Sequence, residues 1–338
     1  MKTFFCDCGH RVFFDSFSCL ACGRPLGFDP AKLEMVTLAE AGEVLEAAGG
    51  DRYKRCENFD RYGNCNWLLA DSDPGGRCAS CRLNDVIPAL ERPGNLTLWS
   101  RVEQSKRRLL YSLFRLHLPL SGPDGEAPMR FRILEDRRRN PDVFETFVAT
   151  AHFDGTITIN IAEADDAARL AVREQMQERY RTVLGHLRHE SAHYYFSRLA
   201  NTPETLAACR DCFGDERADY AAALQAYYES GPVPDWPSRF VSAYASAHPA
   251  EDFAETFAHF LHIDDALETA RAAGLAPQSA GGDTDWISDW VRLAITLNEI
   301  LRSLGADDPY PFVLTEPVKE KLQFMSRLLR RQVEQGHG

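Results

Sequence analysis

No stretch of this 338-residue chain is apolar for long enough to predict a membrane-spanning helix. The opening MKTFFCDCG also lacks the apolar core of a secretory leader. Basic charge is scarce. The 38 lysines and arginines are outnumbered by 50 aspartates and glutamates, giving a net charge of −12, which argues against a broad phosphate-binding surface. The basic runs DRRRN at 136–140 and RLLRRQ near the C-terminus read as solvated faces. There is no internal repeat, glycine-rich phosphate loop or low-complexity linker. These absences predict a cytoplasmic globular protein that partners neither nucleic acid nor membrane, with one sizeable core and a small appendage.

Cysteine, by contrast, is plentiful and unevenly placed, with eight of the ten in the first 81 residues. In a reducing compartment such clustering favours metal over disulfides. Cys6, Cys8, Cys19 and Cys22, in CDCGHRVFFDSFSCLACG, form two close pairs, the layout of a zinc ribbon whose four thiolates hold one tetrahedral ion. Gly9 and Gly23 follow the pairs, where a tight turn favours positive φ. The first pair is C-x-C, not C-x-x-C, so His10 is a substitute for Cys6 or Cys8. Cys56, Cys65, Cys78 and Cys81 make a second closed four-thiolate set. Two structural Zn2+ ions would then fold segments too small to bury their own cores, a ribbon over residues 1–28 and a second cysteine-rich segment over 29–95. Cys209 and Cys212, a lone C-x-x-C, read as thiols without metal.

From residue 96 the texture changes. LTLWSRVEQSKRRLLYSLFRL has helical apolar spacing, and GTITINIAEAD alternates Ile157, Ile159 and Ile161 with polar residues, as a half-buried strand does. A helical stretch with Gly185 as its only glycine follows and contains RHESAHYYF, residues 188–196. On a helix, residues four apart share a face, so His189 and His193 can each offer a nitrogen to one ion. Glu190 would lie close enough to take a proton from a metal-bound water. His186 shares that face but stands seven residues from His193, about 10 Å along the axis, too far to bind the same ion.

A catalytic zinc needs a third protein ligand and an open position. HPAEDFAETFAHFLHI supplies candidates: Pro249 suits a first helical turn, and Glu251 and Glu255 are four apart on one face. One can ligate metal while the other accepts a hydrogen bond from a ligand histidine. Glu216 and Asp219, in GDERADY, are rival donors. Phe253, Ala254 and Phe257 interleave with the acids and predict a buried helix, where acids require partners. His259 and His262 read as neighbours of the site or as core, and the C-terminal segments as amphipathic closing helices.

Together the strand, LGHLRHESAHYYF and HPAEDFAETFAHFLHI resemble the bacterial zinc-binding metallopeptidases that carry an N-terminal zinc ribbon. CLACGRPLGFDP and RCASCRLNDVIPAL resemble that ribbon, so the likeness spans nearly the whole chain. The wider relatives are the gluzincins. The second acidic helix also resembles that of lethal-factor-type proteases, where a tyrosine stands seven residues before the ligand glutamate, as Tyr244 stands before Glu251. The resemblance implies an α+β architecture, a zinc-ribbon module followed by a mostly helical zincin-like domain with a small sheet over 96–338. It implies one catalytic Zn2+ on His189, His193 and Glu251, backed by Glu255, with Tyr244 as an oxyanion-stabilising phenol. Glu190 would be the general base in hydrolysis of a peptide or isopeptide bond, and His248 an alternative oxyanion donor. The TITINIA strand would be the edge to which an extended peptide or protein substrate adds. The competing reading is a non-catalytic protein-binding module, a zinc ribbon on a zincin scaffold, making its protein contact through the ribbon. Retention of His189, Glu190, His193 and Glu251 together favours the enzyme, since a degenerate one commonly loses one of them.

Overall fold

The structure, a computed structural model, describes residues 1–41, 44–121, 128–176, 178–276 and 285–335. At the N-terminus β1 (Phe4–Phe5) and β2 (Arg11–Val12) form a hairpin, with Gly9 at φ 83° in its turn and Gly23 at φ 74° in the next knuckle. A five-stranded antiparallel sheet follows in chain order: β3 (Leu26–Asp29), β4 (Glu34–Ala41), β5 (Val44–Ala47), β6 (Arg52–Arg55) and, after α1 (Glu57–Tyr62), β7 (Leu68–Ala70). The 28/29 boundary falls inside β3, so this sheet runs from one cysteine-rich segment into the other.

A second sheet lies beyond it, ordered β10-β11-β9-β8, from β8 (Asn84–Val86), β9 (Arg130–Leu134), β10 (Ala151–Phe153) and β11 (Thr156–Asn160). Its first strand lies in the cysteine-rich region. The expected alternation of β11 is present, with Ile157 and Ile159 fully buried. Its expected place at the sheet edge is not. Asp154 and Gly155, both at positive φ, turn the chain so that β10 pairs antiparallel with β11, while β9 pairs parallel on its other side. Alternation reports which face of a strand is buried and carries no information about its neighbours. The edge beside β11 is therefore β10.

The remaining elements are helical: α2 (Asn95–Arg115), α3 (Asp166–Gln175), α4 (Val183–Leu199), α5 (Pro203–Phe213), α6 (Tyr220–Ser230), α7 (Trp236–Arg239), α8 (Pro249–Ala272), α9 (Asp285–Ser303) and α10 (Glu316–Gln335). Among the described residues no helix is long and apolar enough to cross a membrane. The central connector is α2. Phe14 and Phe28 pack on its Tyr111 at 5.7 and 6.1 Å between ring centroids, Trp67 on its Phe114 at 5.9 Å, and Tyr62 on its Trp99 at 5.4 Å. One apolar cluster consequently runs from Phe4 in the cysteine-rich region to Leu329 in α10. The small appendage and the sizeable core share this interior, while Leu38, Leu45, Tyr53 and Leu68 form a smaller separate cluster in the five-stranded sheet.

Candidate active site

Two helices build the site. At the start of α4, Thr182 accepts the Gly185 N–H at 2.9 Å, satisfying a donor the first turn leaves free. His248 does the same for α8, its Nδ1 accepting the Ala250 N–H at 3.1 Å, and Pro249 occupies the opening turn, where its missing N–H costs nothing. The helices are locked by aromatic packing, Phe253 edge-on to Phe196 at 5.0 Å and Phe257 stacked on Tyr195 at 5.8 Å. That register turns the histidines of α4 toward the acids of α8.

The Nε2 atoms of His189 and His193 are 3.3 Å apart, and Glu251 Oε2 is 3.0 Å from His189 Nε2. A tetrahedral ion at ordinary Zn–N and Zn–O lengths separates its ligands by about 3.3 Å. The Nδ1 of His189 is 2.7 Å from Glu255 Oε1, so when neutral the ring donates there and presents a bare Nε2 inward. Glu251 Oε2 is buried and accepts no hydrogen bond. With both histidines neutral, the three atoms that converge are all lone-pair donors, a set suited to a cation. Without an ion, a proton on His189 takes the place of the cation. Burial opposes ionisation of both glutamates, but the nearness of His189, with His193 at Glu251, holds Glu251 well below the usual carboxylate range and Glu255 at about 2. Burial works against a cationic His189 too, yet the same two carboxylates raise its pKa well above the ordinary value.

Glu190 is buried on α4 beside His189, and its charge is felt at His189, Tyr220 and Tyr244. The Tyr244 ring is 5.9 Å from that of His189, and burial followed by the charge of Glu251 pushes its phenol up, keeping it a proton donor. His248 cannot serve as an oxyanion donor, because its Nδ1 caps α8 and its Nε2–H goes to the Ala218 carbonyl at 3.1 Å. The rival ligands also have other roles: Glu216 pairs with Arg210 at 2.9 Å, and Asp219 caps α6 through the Ala222 N–H at 3.0 Å. His186 stands 3.4 Å from Glu163, away from the ligand trio, and His259 and His262 are core, the former 2.8 Å from the Tyr310 hydroxyl. Sequence reading missed Tyr220, whose hydroxyl donates to Glu251 Oε1 at 2.6 Å. The only signal available was its place at the end of GDERADY.

The cysteines gather as two sets. Cys6, Cys8, Cys19 and Cys22 converge, with sulfur separations of 3.6 Å for Cys6–Cys22 and 3.7 Å for Cys8–Cys19; His10 is not among them. Cys56, Cys65, Cys78 and Cys81 form the second set, fully buried, with Cys65 3.6 Å from Cys78 and 3.7 Å from Cys81. A zinc tetrathiolate has edges of about 3.8 Å. Cys209 and Cys212 belong to neither set, and burial pushes their thiols up to about 11 and about 12.

Residues 95–328 match the family described as "Putative zinc-binding metallo-peptidase". The chain belongs to that family. In this zinc-binding metallo-peptidase family member, residues 3–92 also match a zinc-ribbon domain, a span that takes in both cysteine sets. It is similar to uncharacterized proteins of Mycobacterium tuberculosis and Mycobacterium bovis, each 40% identical over 338 residues, covering 96% of this chain and 94% of the relative. No solved structure matches it. The family member is zinc-binding, with a cysteine-rich ribbon region followed by a mostly helical domain and a small sheet.

Proposed function

We propose that the protein is a gluzincin-like zinc peptidase, in which His189, His193 and Glu251 hold the catalytic ion and the two cysteine sets hold structural ones. The convergence of His189 Nε2, His193 Nε2 and the unpartnered Glu251 Oε2 supports this reading most directly. Zinc bound there supplies an acidified water and a Lewis acid for a carbonyl. Glu190 takes the proton of the attacking water and returns it to the leaving amine. Tyr244 donates a hydrogen bond to the oxygen on which charge develops. Glu255, itself held by the Ser242 hydroxyl at 2.6 Å, fixes the ring of His189. An extended peptide or protein substrate adds its backbone along β10, where His152 sits 6.1 Å from Tyr194 of α4.

The test pairs metal analysis with hydrolysis of a proteome-derived peptide library, read by mass spectrometry. Wild type should carry about three zincs, falling to two when His189 and His193 are both replaced by alanine. Glu190→Gln should keep all three and lose hydrolysis by at least about 100-fold. Hydrolysis retained in that variant would remove Glu190 as the base, and absence of hydrolysis by the zinc-replete wild type would favour a binding module.

A further inference from the structure

Glu251 has two oxygens in unlike surroundings: Oε1 accepts the Tyr220 hydroxyl at 2.6 Å, while Oε2 is buried with no hydrogen bond and faces His189 Nε2. A carboxylate that is free to rotate can offer a metal either oxygen or both. This one is already engaged on one side. We propose that Tyr220 is a positioning residue that reserves Oε1 for itself and presents Oε2 alone as the third metal ligand, an inference that rests on the ligand set proposed above.

The segment that delivers Tyr220 is built for placement. Gly214, at φ 102°, lets the chain pass so close to α8 that an added Cβ would sit 3.2 Å from Pro249 Cγ. Arg210 of α5 grips Glu216 just beyond it. The Ala218 carbonyl is then held by His248, the residue that caps α8, and Asp219 starts α6 so that Tyr220 is its first residue. The Tyr220 ring also meets His248 edge-on at 5.1 Å. Backbone, ring and hydroxyl are therefore all referenced to the first turn of α8, where Glu251 is carried. The two acids that compete with Glu251 for a ligand role, Glu216 and Asp219, instead support the residue that orients it.

Tyr220→Phe keeps the ring and its contact with His248 and removes only the hydroxyl. The experiment titrates the zinc-loaded full-length protein with a competing chelator and counts retained zinc, with absorption of the cobalt-substituted protein as a second readout. Affinity at the α4–α8 site should fall about 10–100-fold and its cobalt spectrum should change. The two cysteine sites should retain their zinc, which also reports that the variant is folded. Wild-type affinity and spectrum in Tyr220→Phe, alongside loss of the third zinc in Glu251→Ala, would overturn the role of Tyr220 alone. Three zincs retained in Glu251→Ala would overturn the ligand set and this inference with it.

Discussion

Adjacent residues on α8 meet different fates in the same interior. Glu251 is held ionised by His189 and His193, whereas burial raises Asp252 to about 6 despite the Lys321 ammonium 2.6 Å away. Eight residues along from Glu251, His259 is forced the other way, burial lowering it from 6.5 to about 4. A histidine kept neutral by the fold contributes stability that is complete above pH 6.5 and is lost as pH falls toward 4, by up to about 3 kcal/mol. Replacing it with glutamine, which can still hydrogen-bond Tyr310 but does not titrate, should remove this loss. Urea midpoints of wild type and His259→Gln, compared across that range, check it, and parallel pH profiles would refute it. At this scale the grouping of His189 with His193 and of the eight cysteines into two sets was legible, because their spacings along the chain are short. Tyr220 was not, since its partner lies 31 residues away and any of several tyrosines could have made that contact.

Among elements, the contact of α4 with α8 decides whether the site exists. Phe257 is fully buried against Tyr195, and Phe253 bridges Phe196 and Phe213. Phe257→Ala should cost about 3–5 kcal/mol, because the emptied volume lies between two helices that cannot close fully upon it. Chemical denaturation should show that loss, and zinc at the α4–α8 site should be released before zinc at the cysteines. Interleaved acids and phenylalanines already marked α8 as a buried helix. Periodicity also marked β11 as a strand, but hydrogen-bond partners are chosen in three dimensions, and the sheet edge passed to β10.

At the scale of the whole molecule, the ribbon region and the helical domain share one hydrophobic cluster. Both faces of the junction depend on α2, which buries Glu103, Lys106 and Arg107 as well as its apolar stripe. Lys106 reaches Glu103 at 3.0 Å, and Arg107, 3% exposed, lies within the field of Cys65, Cys78 and Cys81. Four thiolates around one zinc carry net negative charge, so buried cations beside them offset a cost that an apolar wall would leave in place. Deleting residues 1–90 would remove β8 from the second sheet and uncover Trp99, Tyr111 and Phe114. The fragment should aggregate or lose its near-ultraviolet circular dichroism, and the full chain should melt in one calorimetric transition. A soluble, cooperatively folded 91–338 fragment would contradict this.

Local chemistry in the sequence was sufficient to determine the two cysteine sets, the His-Glu pattern on α4, the acidic start of α8 and the helical or extended character of their surroundings. Those properties depend on residue type and on spacings within a few helical turns. Only the tertiary structure decided which oxygen of Glu251 faces His189, that Tyr220 takes the other, that β10 forms the edge, and that the cysteine-rich region shares its core with the helices. Each of these depends on contacts between residues far apart in the chain, and burial and packing choose among many candidates that local pattern leaves equal.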